Sequence, residues 1–356
     1  MKPIFIASVM PYVGKNVVCV GLANRLSKMG KKVGYFKPFS RLTMSYEGRS
    51  VDSDAAFFKK ALRLDEKLED ICPMVIDDEI AADILRGVDV RARDKILEAF
   101  KRVSKGKDAV LCLGMGSVHT GLVAGYSAAT LADEIDAPVL LVDRYAYGLE
   151  SVNGILGTRE ILGDRLVGTV FNRVQDADIS QVQNAVTPFL EDKGVKVFGV
   201  LPDDGLLGAV PVRVIAEELQ GRILCGGDHS EDLVQGFSIG AMRVQAALRY
   251  LRHTAGRAVI TGGDRHDIQL AALEAGAKCL VLTGDLYPNE RILTRAEECG
   301  TPVILVNQDT AATVSKCESL GHQLGLNSLV KADRASQVCE EHIDFDKLLK
   351  AIGIKE

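Results

Sequence analysis

Gly14, Lys15 and Asn16 stand where a short apolar run gives way to an amphipathic helical pattern. Ahead of them Ile4, Phe5, Ile6 and Ala7 read as a buried strand, and behind them NVVCVGLANRL carries a helical period. A strand, a tight loop and a helix opened by Gly-Lys is the layout in which backbone N–H groups cradle phosphate oxygens while a lysine adds a point charge. Tyr12, Val13, Gly14, Lys15, Asn16 and Val17 are therefore the candidate nucleotide-binding residues.

A complete phosphate loop (P-loop) reads G-x-x-x-x-G-K-[ST]. Gly14 and Lys15 fit it, Val9 stands at the first glycine position and Asn16 at the hydroxyl position. Ser8 fits a variant one residue longer. An amide oxygen is a poorer magnesium ligand than a hydroxyl set at that distance, so the letters favour phosphate binding over phosphoryl chemistry. The plain alternative is a strand-turn-helix with an accidental Gly-Lys pair; the flanking strand and helix weigh against it.

Two further residues could share the site. The segment KKVGYFKPF, residues 31 to 39, reads as a strand over 32 to 39, and Lys37 precedes a proline that cannot extend a ladder. Lys37 thus falls at the carboxyl end of a strand, where open parallel sheets place their ligand crevice. It is a candidate phosphate or carboxylate contact or a solvated lysine. Asp52 or Ser53 caps the next helix, and Asp54 in its first turn suits the dipole or reaches a magnesium ion.

The rest of the chain must position these groups. At 356 residues, 47% apolar and 26% charged, it has the composition of an ordinary soluble protein of two domains. No apolar run is long enough to span a bilayer, no signal-peptide pattern opens the chain, and a cytoplasmic location is expected. A net charge of −5 without a basic run gives no electrostatic reason to expect nucleic acid. The eight cysteines are dispersed, without a CxxC, and read as reduced, mostly core residues.

Apolar runs at 109–113, 137–144, 166–174 and 195–202 alternate with helical patterns at 90–104, 127–135, 148–162 and 180–190. Six or seven such strands predict an α/β fold, a parallel sheet covered by helices on both faces. After 109–113 come Gly114, Gly116 and His119 in a loop that could approach a ligand or simply turn. Asn172, at a strand end, offers an amide to a purine edge. From 203 to 235 turn residues mark a junction. Beyond it, helix 239–252, strands 257–263, 278–284 and 301–307 with helices 266–276, 289–299 and 310–320 predict a smaller three-stranded α/β sheet. Thr261, Gly262, Gly263, Asp264 and Arg265 form a polar turn there, an anion or subunit contact by one reading and N-capping by Asp264 by the other.

The segments SVMPYVGKN, GYFKP, SDA, LGMGS, GTVFNRV and VFGVLPDD together resemble the dethiobiotin synthetase fold as it occurs at the N-terminus of long phosphotransacetylases. GRAVITGGDRHDIQLAALEAG, CLVLTGDLYPNE and PVILVNQDT resemble a DRTGG domain. The resemblance implies a P-loop domain over 1–205, a DRTGG domain over 206–325 and a helical tail over 326–356. It implies ATP or another purine nucleotide as ligand, an adenine contact at Asn172, a magnesium site and a homodimer formed through the DRTGG module. Lys15, Lys37 and Asp54 match synthetase site residues; Asn16 replaces a threonine, and Leu113 stands where a glutamate is expected. No acyltransferase domain follows, so phosphotransacetylase activity is not expected. Three readings remain open: a nucleotide-binding regulatory protein, an ATP-dependent carboxylate-amine ligase using Lys37 and Asp54, and a scaffold with a vestigial loop.

Overall fold

The computed structural model describes residues 1–41, 43–46, 49–146, 148–240, 256–323, 326 and 328–354. They divide into two compact units, Met1–Asp203 with Gly325–Glu356, and Asp204–Leu324. The last segment, expected as a tail, is thus part of the first unit.

Six parallel strands form the sheet of the first unit: β1 (Lys2–Ser8), β2 (Val33–Phe36), β3 (Ala109–Leu113), β4 (Val139–Asp143), β5 (Leu166–Val174) and β6 (Val197–Pro202). Their order is β6-β5-β4-β1-β3-β2, with every pair parallel. In β1 both alternate sets, Ile4 with Ile6 and Phe5 with Ala7, are buried. Both faces of the sheet are therefore covered, which is why these strands read as continuous apolar runs rather than alternating ones. The strand expected to run to residue 39 stops at Phe36; Lys37 donates its N–H to Ile71 O at 2.8 Å, and Phe39–Ser40 pairs with Met74–Val75 in a separate ribbon.

Helix α1 (Lys15–Lys28) follows β1. Helices α2 (Ser53–Ala61), α3 (Ala92–Val103), α4 (Ala128–Glu134) and α5 (Leu149–Leu162) supply much of the remaining cover. Arg25 and Lys28 in the last turn of α1 complement its dipole, and no acid lies in its first turn.

The second unit holds five strands where three were expected: β7 (Arg222–Cys225), β8 (Phe237–Ile239), β9 (Ala258–Gly262), β10 (Cys279–Thr283) and β11 (Val303–Leu305), in the order β7-β11-β10-β9-β8. The central three carry the apolar runs. The two edges are short, and β7 pairs antiparallel to β11 with only Cys225 of its four residues buried, so it resembles the turn-rich junction in which it lies. Helices α6 (Val212–Glu218), α7 (His266–Glu274), α8 (Glu290–Glu298) and α9 (Thr310–Gln323) accompany this sheet. The helix expected over 239–252 falls almost wholly on 241–255, outside the described residues; its first position, Ile239, ends β8. Among the described residues no helix is long and apolar enough to cross a membrane. Apart from Cys299 the cysteines are buried.

The chain then re-enters the first unit as α10 (Leu329–His342) and α11 (Phe345–Ala351). Helix α10 lies against α1: Cys339 Sγ donates to Val17 O at 3.5 Å, and Arg25 bonds Glu340 at 3.1 Å and, on α11, Asp346 at 3.2 Å. The approach depends on Gly21, where a Cβ would stand 2.4 Å from Cys339 Cβ and 2.5 Å from its sulfur. Gly21→Ala is expected to destabilise the first unit by about 1–3 kcal/mol through overpacking, despite alanine's better helix propensity. Urea denaturation of the two proteins measures the difference, and an unchanged midpoint would show the contact to be looser than drawn.

Candidate nucleotide-binding site

Residues 9–14 leave the carboxyl end of β1 and feed α1. Two residues of this loop have positive φ, Tyr12 at 59° and Gly14 at 84°. At Gly14 the backbone conformation and the space both require glycine, since a Cβ would lie 2.2 Å from Asn172 Nδ2. Gly14 is also the N-cap residue of α1, so no side chain covers the first amides of that helix. Val13 is fully buried and anchors the loop, Val17 is buried in the first turn, and Tyr12 is 44% exposed at the lip. Asn172, expected at a purine edge, holds the loop itself: its amide nitrogen donates to Val13 O at 2.9 Å and Gly14 O at 3.4 Å.

Lys15 turns inward and is buried. Its ammonium donates to Ser8 Oγ at 2.7 Å and to the Gly116 carbonyl at 3.1 Å, while Ser8 Oγ also lies 2.6 Å from Met10 O and against Gly116 O. The loop after β3 thereby meets the loop after β1. Burial brings the Lys15 ammonium down to about 8, with Lys37 adding to the effect and Asp54 opposing it. Such an ammonium is held by neutral oxygens alone, and an anion at the loop would improve its surroundings.

Lys37, Asp54 and Asn16 lie together. Lys37 Nζ donates to Asp52 Oδ2 at 2.8 Å and to Asp54 Oδ2 at 2.6 Å, and Asn16 Nδ2 donates to Asp54 Oδ1 at 2.7 Å. Asp52 also caps α2 through the Ala55 N–H at 2.6 Å and accepts from the Ser40 hydroxyl. Burial by itself would lower the Lys37 ammonium; the Asp54 and Asp52 carboxylates outweigh that and hold it well above the usual lysine value. Lys37 is thus ionised and doubly paired. Ser40 was not singled out from sequence, because only the turn after Phe36 brings its hydroxyl to Asp52.

The donors a divalent ion would need are spoken for. Asn16 presents its nitrogen to Asp54, both Asp54 oxygens accept protein hydrogen bonds, and Leu113 is a buried apolar strand residue. Among the described residues no group of three His, Cys, Asp or Glu is placed to hold a metal. With a hydroxyl missing at Asn16, a carboxylate missing at Leu113 and Asp54 paired to Lys37, the residues present do not fit the magnesium shell that the resemblance implies. His119 is exposed, with its N–H on Ser117 Oγ at 3.3 Å. Sequence reasoning passed over Asp143 at the end of β4. It is buried, its carboxyl is raised by burial, and it accepts from Tyr145 N at 2.8 Å, one residue past the Ser8–Val142 register pair.

In the second unit Thr261 to Arg265 form the turn after β9. Its sharpness comes from Gly263, where a Cβ would stand 1.7 Å from Leu286 O, and from Gln269, whose amide donates to Gly262 O at 2.9 Å and Gly263 O at 3.0 Å. Thr261 is buried on Gly240 O. Asp264 does not cap α7: the N-cap residue is Arg265, and no side chain caps that helix. The turn carries the chain one residue further before the helix begins. Asp309, just before α9, accepts from the Ala312 N–H at 2.8 Å.

Residues 2–210 match the model of an AAA domain. The chain belongs to that family. Residues 214–320, beyond the AAA domain, match the DRTGG domain. Curated relatives include the phosphate acetyltransferase of Synechocystis sp., 24% identical over 94% of this chain and 50% of that protein. That of Pseudomonas aeruginosa is 26% identical over 99% of this chain and 52% of its own length. The chain thus spans about half the length of these relatives. The chain is also similar to the ATP-dependent dethiobiotin synthetase of Nitrosopumilus maritimus, 29% identical over 57% of this chain and 89% of that protein.

The AAA domain's loop should respond to its Asn172 tether in a graded way. Asn172→Ala leaves the Val13 carbonyl without its side-chain donor, at a cost of about 1–3 kcal/mol. The nearly isosteric Asn172→Asp turns an acceptor toward two carbonyl oxygens and should cost more than Asn172→Ala at neutral pH. Denaturant unfolding of the three proteins gives the ranking.

Proposed function

We propose that this chain is a nucleotide-binding regulatory protein, in which the AAA domain takes the phosphates of ATP or another purine nucleotide and the DRTGG module passes on its state, as a homodimer. The observation that carries the reading is the loop at the end of β1. It joins a left-handed glycine, an uncapped helix N-terminus and a buried lysine whose present partners are neutral oxygens. Those three features together favour an anion. The named activity of the dethiobiotin synthetase relative, which is ATP-dependent, points to a nucleotide as its source.

Regulation rather than turnover is favoured by the residues that differ. Asn16 and Leu113 withhold a hydroxyl and a carboxylate, and metal-assisted charge neutralisation is a large share of phosphoryl transfer. Lys37 is engaged by two aspartates rather than held open toward an acceptor. A route for the signal is offered by α10, which follows the DRTGG module in the chain and packs on α1, the helix that begins at the loop.

Lys15→Ala is expected to weaken binding of ATP or ADP at least about tenfold, the loss of a charge-assisted contact of about 1.5–3 kcal/mol. Isothermal titration of the full chain tests this, and equal affinity of the two proteins would refute the loop as the phosphate site. Affinity should also depend on pH with a definite sign. A bound anion raises the pKa of an ammonium, so binding stays level below pH 8, where Lys15 is protonated in the free protein, and falls at higher pH by up to about tenfold per unit. Binding that strengthens from pH 8 to pH 9 would contradict a role for that charge.

A further inference from the structure

The metal shell that the fold family implies lacks a hydroxyl at Asn16 and a carboxylate at Leu113, and the acids that remain, Asp52 and Asp54, are paired to a lysine. We propose that Lys37 is a fixed internal counter-ion and that the loop takes its nucleotide free of divalent metal. This rests on the phosphate-loop reading above and specifies the ligand's form.

Two carboxylates side by side near a P-loop ordinarily invite a cation. Here Asp52 and Asp54 share one: the Lys37 side chain is 4% exposed, and its ammonium sits 2.8 Å from one and 2.6 Å from the other. Other donors take up part of the remaining acceptor capacity. Asp52 Oδ1 accepts from Ala55 N, Asp52 Oδ2 also accepts from Ser40, and Asp54 Oδ1 accepts from Asn16. A divalent ion reaching Asp54 would have to displace Lys37, leaving a buried ammonium unpaired, or lie beside that ammonium, setting like charges together.

Asn16 fits this reading better than a threonine would. A hydroxyl at that position could turn its lone pairs to a metal, whereas the amide directs an N–H to Asp54. Lys15, Lys37, Asp52 and Asp54 together carry no net charge. The attraction for a phosphate then comes from Lys15, which lacks an acidic hydrogen-bond partner, and from the amides that open α1. None of these needs a metal.

The test uses the full chain and two independent readouts. Titration with ATP is carried out in EDTA and again in excess magnesium. Because magnesium withdraws free nucleotide, apparent affinity is expected to fall at least about tenfold in its presence; equal or tighter binding with magnesium overturns the proposal. Separately, Mn2+ is added to nucleotide-free protein and followed by electron paramagnetic resonance. The wild type is expected to leave the spectrum of aqueous Mn2+ unchanged, while Lys37→Met, with its acids uncompensated, gains one bound ion. Stoichiometric Mn2+ uptake by the wild type that competes with nothing but Asp52→Asn and Asp54→Asn removes overturns the counter-ion assignment while leaving the phosphate loop standing. Silence of ATP in both buffers overturns the phosphate-loop reading and this inference with it. Should Lys37→Met fail to fold, the wild-type measurements still decide.

Discussion

Burying an ammonium group is costly unless oxygens surround it, and this protein buries two within one short stretch of sheet edge. Lys15 is met by a hydroxyl and a backbone carbonyl, Lys37 by two carboxylates. Much else follows from that requirement. Ser8 must end β1, the loop after β3 must return Gly116 to it, and α2 must start at Asp52 so that one carboxylate can cap the helix and pair the lysine together. Removing a partner from such a pair costs about 3–5 kcal/mol, more than most single apolar contacts contribute. The chemistry of the site and the stability of its surroundings are therefore the same interactions.

The two lysines nevertheless answer different needs. Lys37 has a strong partner on each side and behaves as part of the scaffold. Lys15 has neutral partners, a pKa brought down by burial, and a position at the mouth of an uncapped helix. A polar group with such partners can exchange them for a ligand at little loss, whereas breaking Lys37 free would expose two unpaired carboxylates. This asymmetry tells the mobile charge from the fixed one without reference to any relative.

The sheet of the first unit could be read from the sequence because its strands are buried on both faces. Ile4 to Ala7, Ala109 to Leu113 and Val139 to Val142 are apolar without interruption, and flanking helices of amphipathic period leave little choice of fold. The edge strands of the second unit were illegible for the opposite reason: Arg222–Cys225 and Phe237–Ile239 are short and partly exposed, and pairing rather than local pattern makes them strands. In the site, Gly14 and Lys15 were candidates from the strand and helix around them, Lys37 from the proline that follows it and Asp54 from the first turn of its helix. Partners were not recoverable in this way. That Asn172 ties down Val13, that Ser40 reaches Asp52 and that Arg265 rather than Asp264 precedes α7 all depend on long-range approach or on one extra residue in a turn.

The same distinction bears on how a substitution in a motif should be weighed. Asn16 in place of a hydroxyl looks like decay when the loop is compared with its consensus. Set against Asp54, it is a donor aimed at an acceptor 2.7 Å away, in a set where the acids already share an ammonium. A threonine could supply one donor there, where the amide nitrogen supplies two. Asn16 and Lys37 are thus consistent choices, each reducing the need for an external cation. Loss of a metal ligand and gain of a donor to Asp54 are then one change rather than two.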